Sequence, residues 1–213
     1  GNESIQHESV RSHEIYSLDR GAIISKILAG GLWPVIKQRP FNAIADPKAT
    51  PRAIFISGYN SAPLTVDLDL ALSEQTGPFQ TGLNVLRRMT DGYVHLTVPE
   101  GTVSETLVNA EGVRIHYVKG PHPAGNVGIQ IHHIDPLNPG ETIWTISAQH
   151  VVTLGSFFTT GKYDPSMVIS IGGPAVKNPT HINGRTGMQI SDLVMDRLHD
   201  GDSRIVSGDV LTG

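Results

Sequence analysis

The sequence predicts an α/β fold, a mainly parallel sheet layered with helices, followed by a small β-grasp-like module. Three observations carry this. Short apolar runs such as Ala53-Ile54-Phe55-Ile56-Ser57 are separated by segments whose apolar residues recur at helical spacing, the pattern of strand–helix–strand crossovers. After Asp164-Pro165 the pattern changes to strand, strand, helix, strand. Glycine and proline, 23 and 14 residues, supply frequent turns.

The elements follow in order. Residues 1–13 are polar and aperiodic, and an extended entry segment is expected there. From Glu14 to Ala29, Ile15, Leu18, Ile23, Ile27 and Leu28 fall at helical spacing, and Gly30-Gly31 ends that helix because glycine takes the left-handed cap without steric cost. Trp33 to Lys48 contains Pro34, Pro40 and Pro47 and reads as a loop crossing the surface. Ala53 to Ser57 is a buried strand entered from Pro51. Helices are expected over Leu64 to Glu74 and Phe79 to Thr90, a strand over Tyr93 to Val98, a short helix over Thr102 to Val108 and a strand over Val113 to Val118. The Gly/Pro loop Gly120 to Asn126 then feeds a helix N-terminus at Val127 to Ile134, and a turn runs through Asp135 to Glu141. Thr142 to Ile146 is a strand and Ala148 to Thr159 a helix ending at Gly161. Met167 to Ile171 alternates, Gly172-Gly173-Pro174 turns the chain, Ile190 to Leu198 is a short helix and Arg204 to Ser207 a last strand. Two domains are expected, residues 1–163 and 164–213.

Composition bounds the function. Sixteen Lys+Arg against 20 Asp+Glu give a net charge of −4, which argues against nucleic acid or an anionic membrane surface as partner. The absence of cysteine excludes disulfides, Cys-ligated zinc, iron–sulfur clusters and a thiol nucleophile. No apolar run approaches the roughly 18 residues of a membrane span, and the longest stretch, Gly21 to Trp33, is broken by Lys26. A folded, slightly acidic, soluble chain is expected. It begins at Gly1 without an initiator Met or signal segment and stops directly after a strand-like stretch, and we read it as a piece of a longer protein.

Phosphate-loop, dinucleotide, zincin and nucleophile-elbow spacings are all missing, and no catalytic residue is assigned. Three segments carry weak chemistry. Gly120-Pro121-His122-Pro123-Ala124-Gly125-Asn126-Val127-Gly128, with His132, His133 and Asp135 beyond it, brings imidazoles and a carboxylate close in sequence. Adjacent histidines on a helix point about 100° apart, so no metal site is expected, while N–H groups near Gly125 and Gly128 could receive an anion or a partner carboxylate. Gly30-Gly31 beside Lys37 and Arg39 could cradle a phosphate, or could be a helix C-cap with two solvated cations, whose dipole would repel phosphate. Gly172 to Pro179 could belong to a binding surface or be a rigid β-turn. The candidate binding positions in these segments are Gly30, Gly31, Lys37, Arg39, His122, Gly125 and Gly128.

Taken in order, GGLWPVIKQRPF, GPHPAG, IHHIDP, WTISAQHVVTLGSFFTTG, GGPAVKNP and RIVSGDVLTG resemble the A subunit of the bacterial Na+-translocating NADH:quinone reductase (Nqr) over nearly all 213 residues. The resemblance implies a Rossmann-like domain related to the flavin-binding subunit of complex I, followed by a truncated soluble-ligand-binding β-grasp (SLBB) domain. It implies a peripheral subunit on the cytoplasmic face of the membrane, partnered by the other Nqr subunits and in contact with quinone. The complex couples NADH oxidation and ubiquinone or menaquinone reduction to Na+ export. Its NADH, flavins, iron–sulfur centre and quinone would be handled by other subunits, with no cofactor on this chain. The glycine loop that admits flavin phosphate in the complex I and Rnf relatives is replaced here by Ala29-Gly30-Gly31-Leu32-Trp33-Pro34. Pro123 to Gly128 lacks the acidic residues those relatives carry near flavin and NADH. A flavin-dependent dehydrogenase subunit of that kind, or a stand-alone ligand-binding β-grasp module, are the alternatives.

Overall fold

The computed structural model describes residues 5–211. Its main sheet has six strands: β1 (Lys37–Arg39), β2 (Ala43–Ile44), β3 (Ala53–Ser57), β4 (Val94–Pro99), β5 (Arg114–Val118) and β6 (Ile143–Ser147), in the order β2-β1-β6-β3-β4-β5. β6, β3, β4 and β5 run parallel, and β1 and β2 add an antiparallel edge. A separate antiparallel pair, β7 (Ser166–Ile171) and β8 (Thr180–Arg185), forms the small second sheet. The predicted α/β class with a parallel-rich sheet and a small following module is what the chain adopts.

Strand alternation divides the core. Ile54 and Ile56, Val94, Leu96 and Val98, and Trp144 and Ile146 point to one face, where they are buried under the helices α1 (Arg20–Ala29), α3 (Thr76–Arg87) and α6 (Ala148–Thr160). Ala53, Phe55 and Ile143 point to the other, where Ile131 of α5 (Val127–Ile134) covers them. α3 and α6 touch closely because Gly82 and Gly155 face each other. A Cβ on Gly155 would lie 2.7 Å from the Gly82 nitrogen.

Several expectations need correction. The helix expected over Glu14 to Ala29 is broken into a 3₁₀ segment, Ser12–Ser17, and α1. Asp19 causes the break, its Oδ1 accepting the Ala22 N–H at 2.8 Å as an N-cap. Trp33 to Lys48 is not a surface loop: it holds a 3₁₀ turn, Trp33–Val35, and both edge strands, with Trp33, Ile36 and Ala45 buried. Its prolines are tolerated because Pro34 sits in the first turn of the 3₁₀ segment and Pro40 in the β1–β2 connection, where no N–H is needed. The helix over Leu64 to Glu74 shrinks to α2 (Leu68–Ala71), while α4 (Glu105–Val108) and α7 (Ile190–Val194) are shorter than expected. Arg204 to Ser207 forms no strand among the described residues. β8 replaces it as partner of β7, although Thr180-His181-Ile182-Asn183-Gly184-Arg185 has little strand propensity. The part of the expected entry segment at residues 1–4 lies outside the described residues.

Candidate functional site

The chain steps from β3 to β4 to β5 in one direction and returns to β6 on the far side of β3, so the strand order reverses between β3 and β6. Open α/β sheets bind ligands outside the carboxyl ends of their strands at such a reversal. Three segments converge there: residues 58–62 after β3, residues 119–126 after β5, and the start of α6.

Two glycines let these segments meet. A Cβ on Gly58 would lie 2.6 Å from the Thr97 carbonyl oxygen, and one on Gly125 would lie 2.7 Å from the Asn60 carbonyl carbon and 2.8 Å from its Cα. Ser61 Oγ accepts the Gly125 N–H at 2.7 Å and faces His122 Nδ1 at 3.3 Å. Tyr59 donates its hydroxyl to the Gly120 carbonyl at 3.2 Å. Across the reversal, Ser147 caps α6, accepting the His150 N–H at 3.4 Å and facing His150 Nδ1 at 2.8 Å. Burial, then the charge of Lys37, hold the His150 imidazole below its ordinary pKa. Among the described residues no carboxylate lies within 4.0 Å of His122 or His150. The hydroxyl–imidazole pairs therefore lack the third group that would orient them as a nucleophile and base. They offer hydrogen bonds to a ligand rather than a proton relay.

Beside this edge lies a cavity of about 500 Å³ between residues 60–66 and the second sheet, lined largely by apolar side chains including Leu64, Val66, Ile171, Val176 and Leu198. Ser170 Oγ donates to the Leu64 carbonyl at 2.8 Å, and the Asp67 N–H donates to His181 Nε2 at 3.0 Å, tying the two walls together.

The residues singled out in the sequence fall in three places. His122 and Gly125 meet at Ser61. Lys37 lies opposite Thr145 of β6 and acts on His150. Two residues on, Arg39 Nη1 is 3.9 Å from where a Cβ on Gly128 would stand in the first turn of α5. Its Nε has no hydrogen-bond partner among the described residues, and burial holds its pKa below the ordinary value. Gly30 and Gly31 go elsewhere. Gly30 packs on the Phe157 ring at the far end of α6, and Gly31 takes φ 72° after α1. Leu32 and Trp33 beyond them are core, with Trp33 Nε1–H donating to the Ala45 carbonyl at 2.7 Å. This segment presents packing side chains where a phosphate would need open backbone N–H groups. His132 and His133 stand 5.2 Å apart at 77°, and no group of three His, Asp or Glu among the described residues is placed to hold a metal. Sequence reasoning misses segment 58–66 and the Ser147–His150 cap. For the first, Gly58 directly after a buried strand is the available signal.

Residues 18–163 match the family model described as the NqrA second alpha/beta domain, and residues 168–213 match that of the NqrA C-terminal domain, an SLBB model. The chain belongs to the NqrA family. It is 38% identical over 213 residues to the A subunit of the Na+-translocating NADH-quinone reductase of Serratia proteamaculans, and 35% identical to that of Marinomonas sp.. Each alignment covers 100% of this chain and 47% of the relative, so the chain spans about half the length of the curated relatives it matches. Among solved structures, an NAD+-reducing NiFe hydrogenase in the air-oxidized state aligns with a TM-score of 0.58 at 14% identity, over 89% of this chain and 41% of that one. The H2-reduced state of such an enzyme gives 0.59 at 11%, over 89% and 42%. That likeness is of fold alone. Among the described residues no helix is long and apolar enough to cross a membrane.

Proposed function

We propose that this chain is the part of NqrA that gives a Na+-translocating NADH-quinone reductase a peripheral docking body, with the redox chemistry carried by other subunits. The observation that carries the reading is the match of both NqrA models in order, together with whole-chain identity to curated NqrA proteins. Under this reading residues 1–163 are a Rossmann-like domain and 164–213 an SLBB domain. The assembly is a respiratory-chain complex reducing ubiquinone or menaquinone, and the chain faces the cytoplasm. It binds no flavin of its own: the buried Leu32 and Trp33, and Gly30 packed on Phe157, support a pocket given over to packing. Quinone contact belongs to the same reading, and the cavity lined by Leu64, Val66 and Ile171 has the size and apolar lining a quinone head group needs. The test is to add purified full-length NqrA to complex lacking it. Restored NADH-driven quinone reduction, with no flavin absorbance on the isolated protein, is the expected result. Stoichiometric flavin on the isolated protein, or NADH oxidation by it alone, would overturn the reading and favour a flavin-dependent dehydrogenase.

A further inference from the structure

At the opposite end of the sheet, where β3, β4 and β5 begin, is a second cavity of about 380 Å³ lined by Arg52, Tyr93, His95, Arg114, His116 and Asp135, with Gly92 and Ile134. Register explains its polarity. Phe55 pairs with His95 and His95 with Arg114, and Thr97 pairs with His116, so these side chains share the face that α5 covers over β3. Beyond Phe55 that face turns from apolar to polar.

Each lining group is accounted for except two. Asp135 is held by Arg52, whose Nη1 donates to Oδ1 at 2.7 Å, and Arg52 also lies 2.9 Å from Glu141. Arg114 Cζ stands over the Tyr93 ring, 3.1 Å from its centroid, and the side chain has no carboxylate within 4.0 Å among the described residues. Arg114 also lines the cavity. His95 is 2% exposed, sandwiched between Phe55 and His116, and its Nδ1 lies 2.9 Å from His116 Nε2. His95 lines the cavity, and its buried Nε2 has no hydrogen-bond partner among the described residues. Asp135 Oδ2, at 3.7 Å, is too far to accept from it but close enough to favour the tautomer with the proton on Nε2. His116 Nε2–H then donates to His95 Nδ1. The result is a buried donor without an acceptor, beside a guanidinium without a counter-ion, in a cavity whose lining carries two arginines and one aspartate.

We infer that this cavity is a binding site for a small oxyanion, the phosphate or carboxylate group of a metabolite-sized molecule. Arg114 supplies the charged fork and His95 Nε2–H the buried donor. Arg52 keeps Asp135 neutralised so that it does not repel the ligand. The site is separate from the carboxyl-end crevice and does not depend on the quinone reductase reading.

The experiment is an NMR titration of the full chain with inorganic phosphate and, in parallel, with acetate, following the His95 and His116 imidazole resonances. Saturable shifts of both with either anion are expected, phosphate binding more tightly if the natural ligand is a phosphate and acetate if it is a carboxylate. Arg114→Gln, at an exposed position on an edge strand, should keep the fold and weaken binding by roughly tenfold or more, the size of one charge-assisted hydrogen bond. Arg185→Gln on β8 should leave it unchanged. Unsaturable shifts with both anions, or equal affinity in Arg114→Gln with a native spectrum, would overturn the proposal and leave the cavity to water.

Discussion

Replacing Gly125 by alanine tests whether the loops after β3 and β5 are held together by backbone contact. The added Cβ would meet the Ser61 nitrogen and stand within 2.8 Å of Asn60 backbone atoms, none of which is the end of a flexible side chain. The loops must part, and the 2.7 Å bond from the Gly125 N–H to Ser61 Oγ lengthens or breaks. Overpacking of this kind costs about 1–3 kcal/mol and the lost hydrogen bond about 1. Alanine gives back about 0.4–1 kcal/mol by restricting the unfolded chain. A net loss of about 1–3.5 kcal/mol corresponds to a fall in Tm of roughly 2–14 °C for a chain of this size. Gly128→Ala is the internal control. Among the described residues only Arg39 Nη1, at 3.9 Å, comes near its Cβ position, and Gly128 lies in the first turn of α5, so the Tm of this variant should hold or rise slightly. Differential scanning calorimetry with amide exchange at Gly125 reads both. Equal melting of Gly125→Ala and the parent, or parallel losses in the two variants, would refute the argument.

Acid should destabilise the chain through His95, whose pKa burial and the neighbouring His116 hold down to about 4. A histidine depressed from its unfolded value near 6.5 contributes stability that is complete above 6.5 and lost as pH falls toward 4. Between pH 7 and 5 urea unfolding should show about 2 kcal/mol lost from this residue, with His116 and His150, also lowered by burial, acting in the same direction. A flat stability profile across that range contradicts it. Trp33→Phe removes the donor to the buried Ala45 carbonyl and should cost about 1–3 kcal/mol in the same assay, whereas a fully solvated Trp33 would be replaced at no cost.

The parallel strands were legible because β3 is a short apolar run and β4 and β5 alternate between helical segments, and the ends of all four fall within a residue or two of where the pattern puts them. The edge strands were hidden by the prolines around them, since a rule that demotes proline-containing segments does not see that Pro40 occupies the connection between strands. β8 was hidden because Asn183 and Gly184 break its alternation. Gly184 is there for space, as a Cβ would press on Ile169 of β7. His122 and Gly125 could be singled out from a Gly/Pro loop. Their partner Ser61 could not, because it lies 61 residues from His122 and only the β3–β4–β5 crossovers bring the two loops together.

The two halves of the sheet face that α5 packs against differ for one geometric reason. A helix is about 10 Å across and strands are spaced about 4.8 Å apart, so a single helix such as α5 covers two strands of a face, not four. α5 covers β3 and β6, where Ala53, Phe55 and Ile143 are apolar. On β4 and β5 the same face carries His95, Thr97, Arg114 and His116, while the alternating positions Leu96, Val98 and Ile115 remain apolar toward α3. Thr97 is reached by Gln130 of α5, its hydroxyl donating to Oε1 at 2.7 Å, and marks the limit of the cover. If the polar residues beyond that limit were only a solvated surface, none of them would need to be buried. His95 is, at 2% exposure with an unmet nitrogen, and that burial is what separates a binding cavity from an uncovered sheet face.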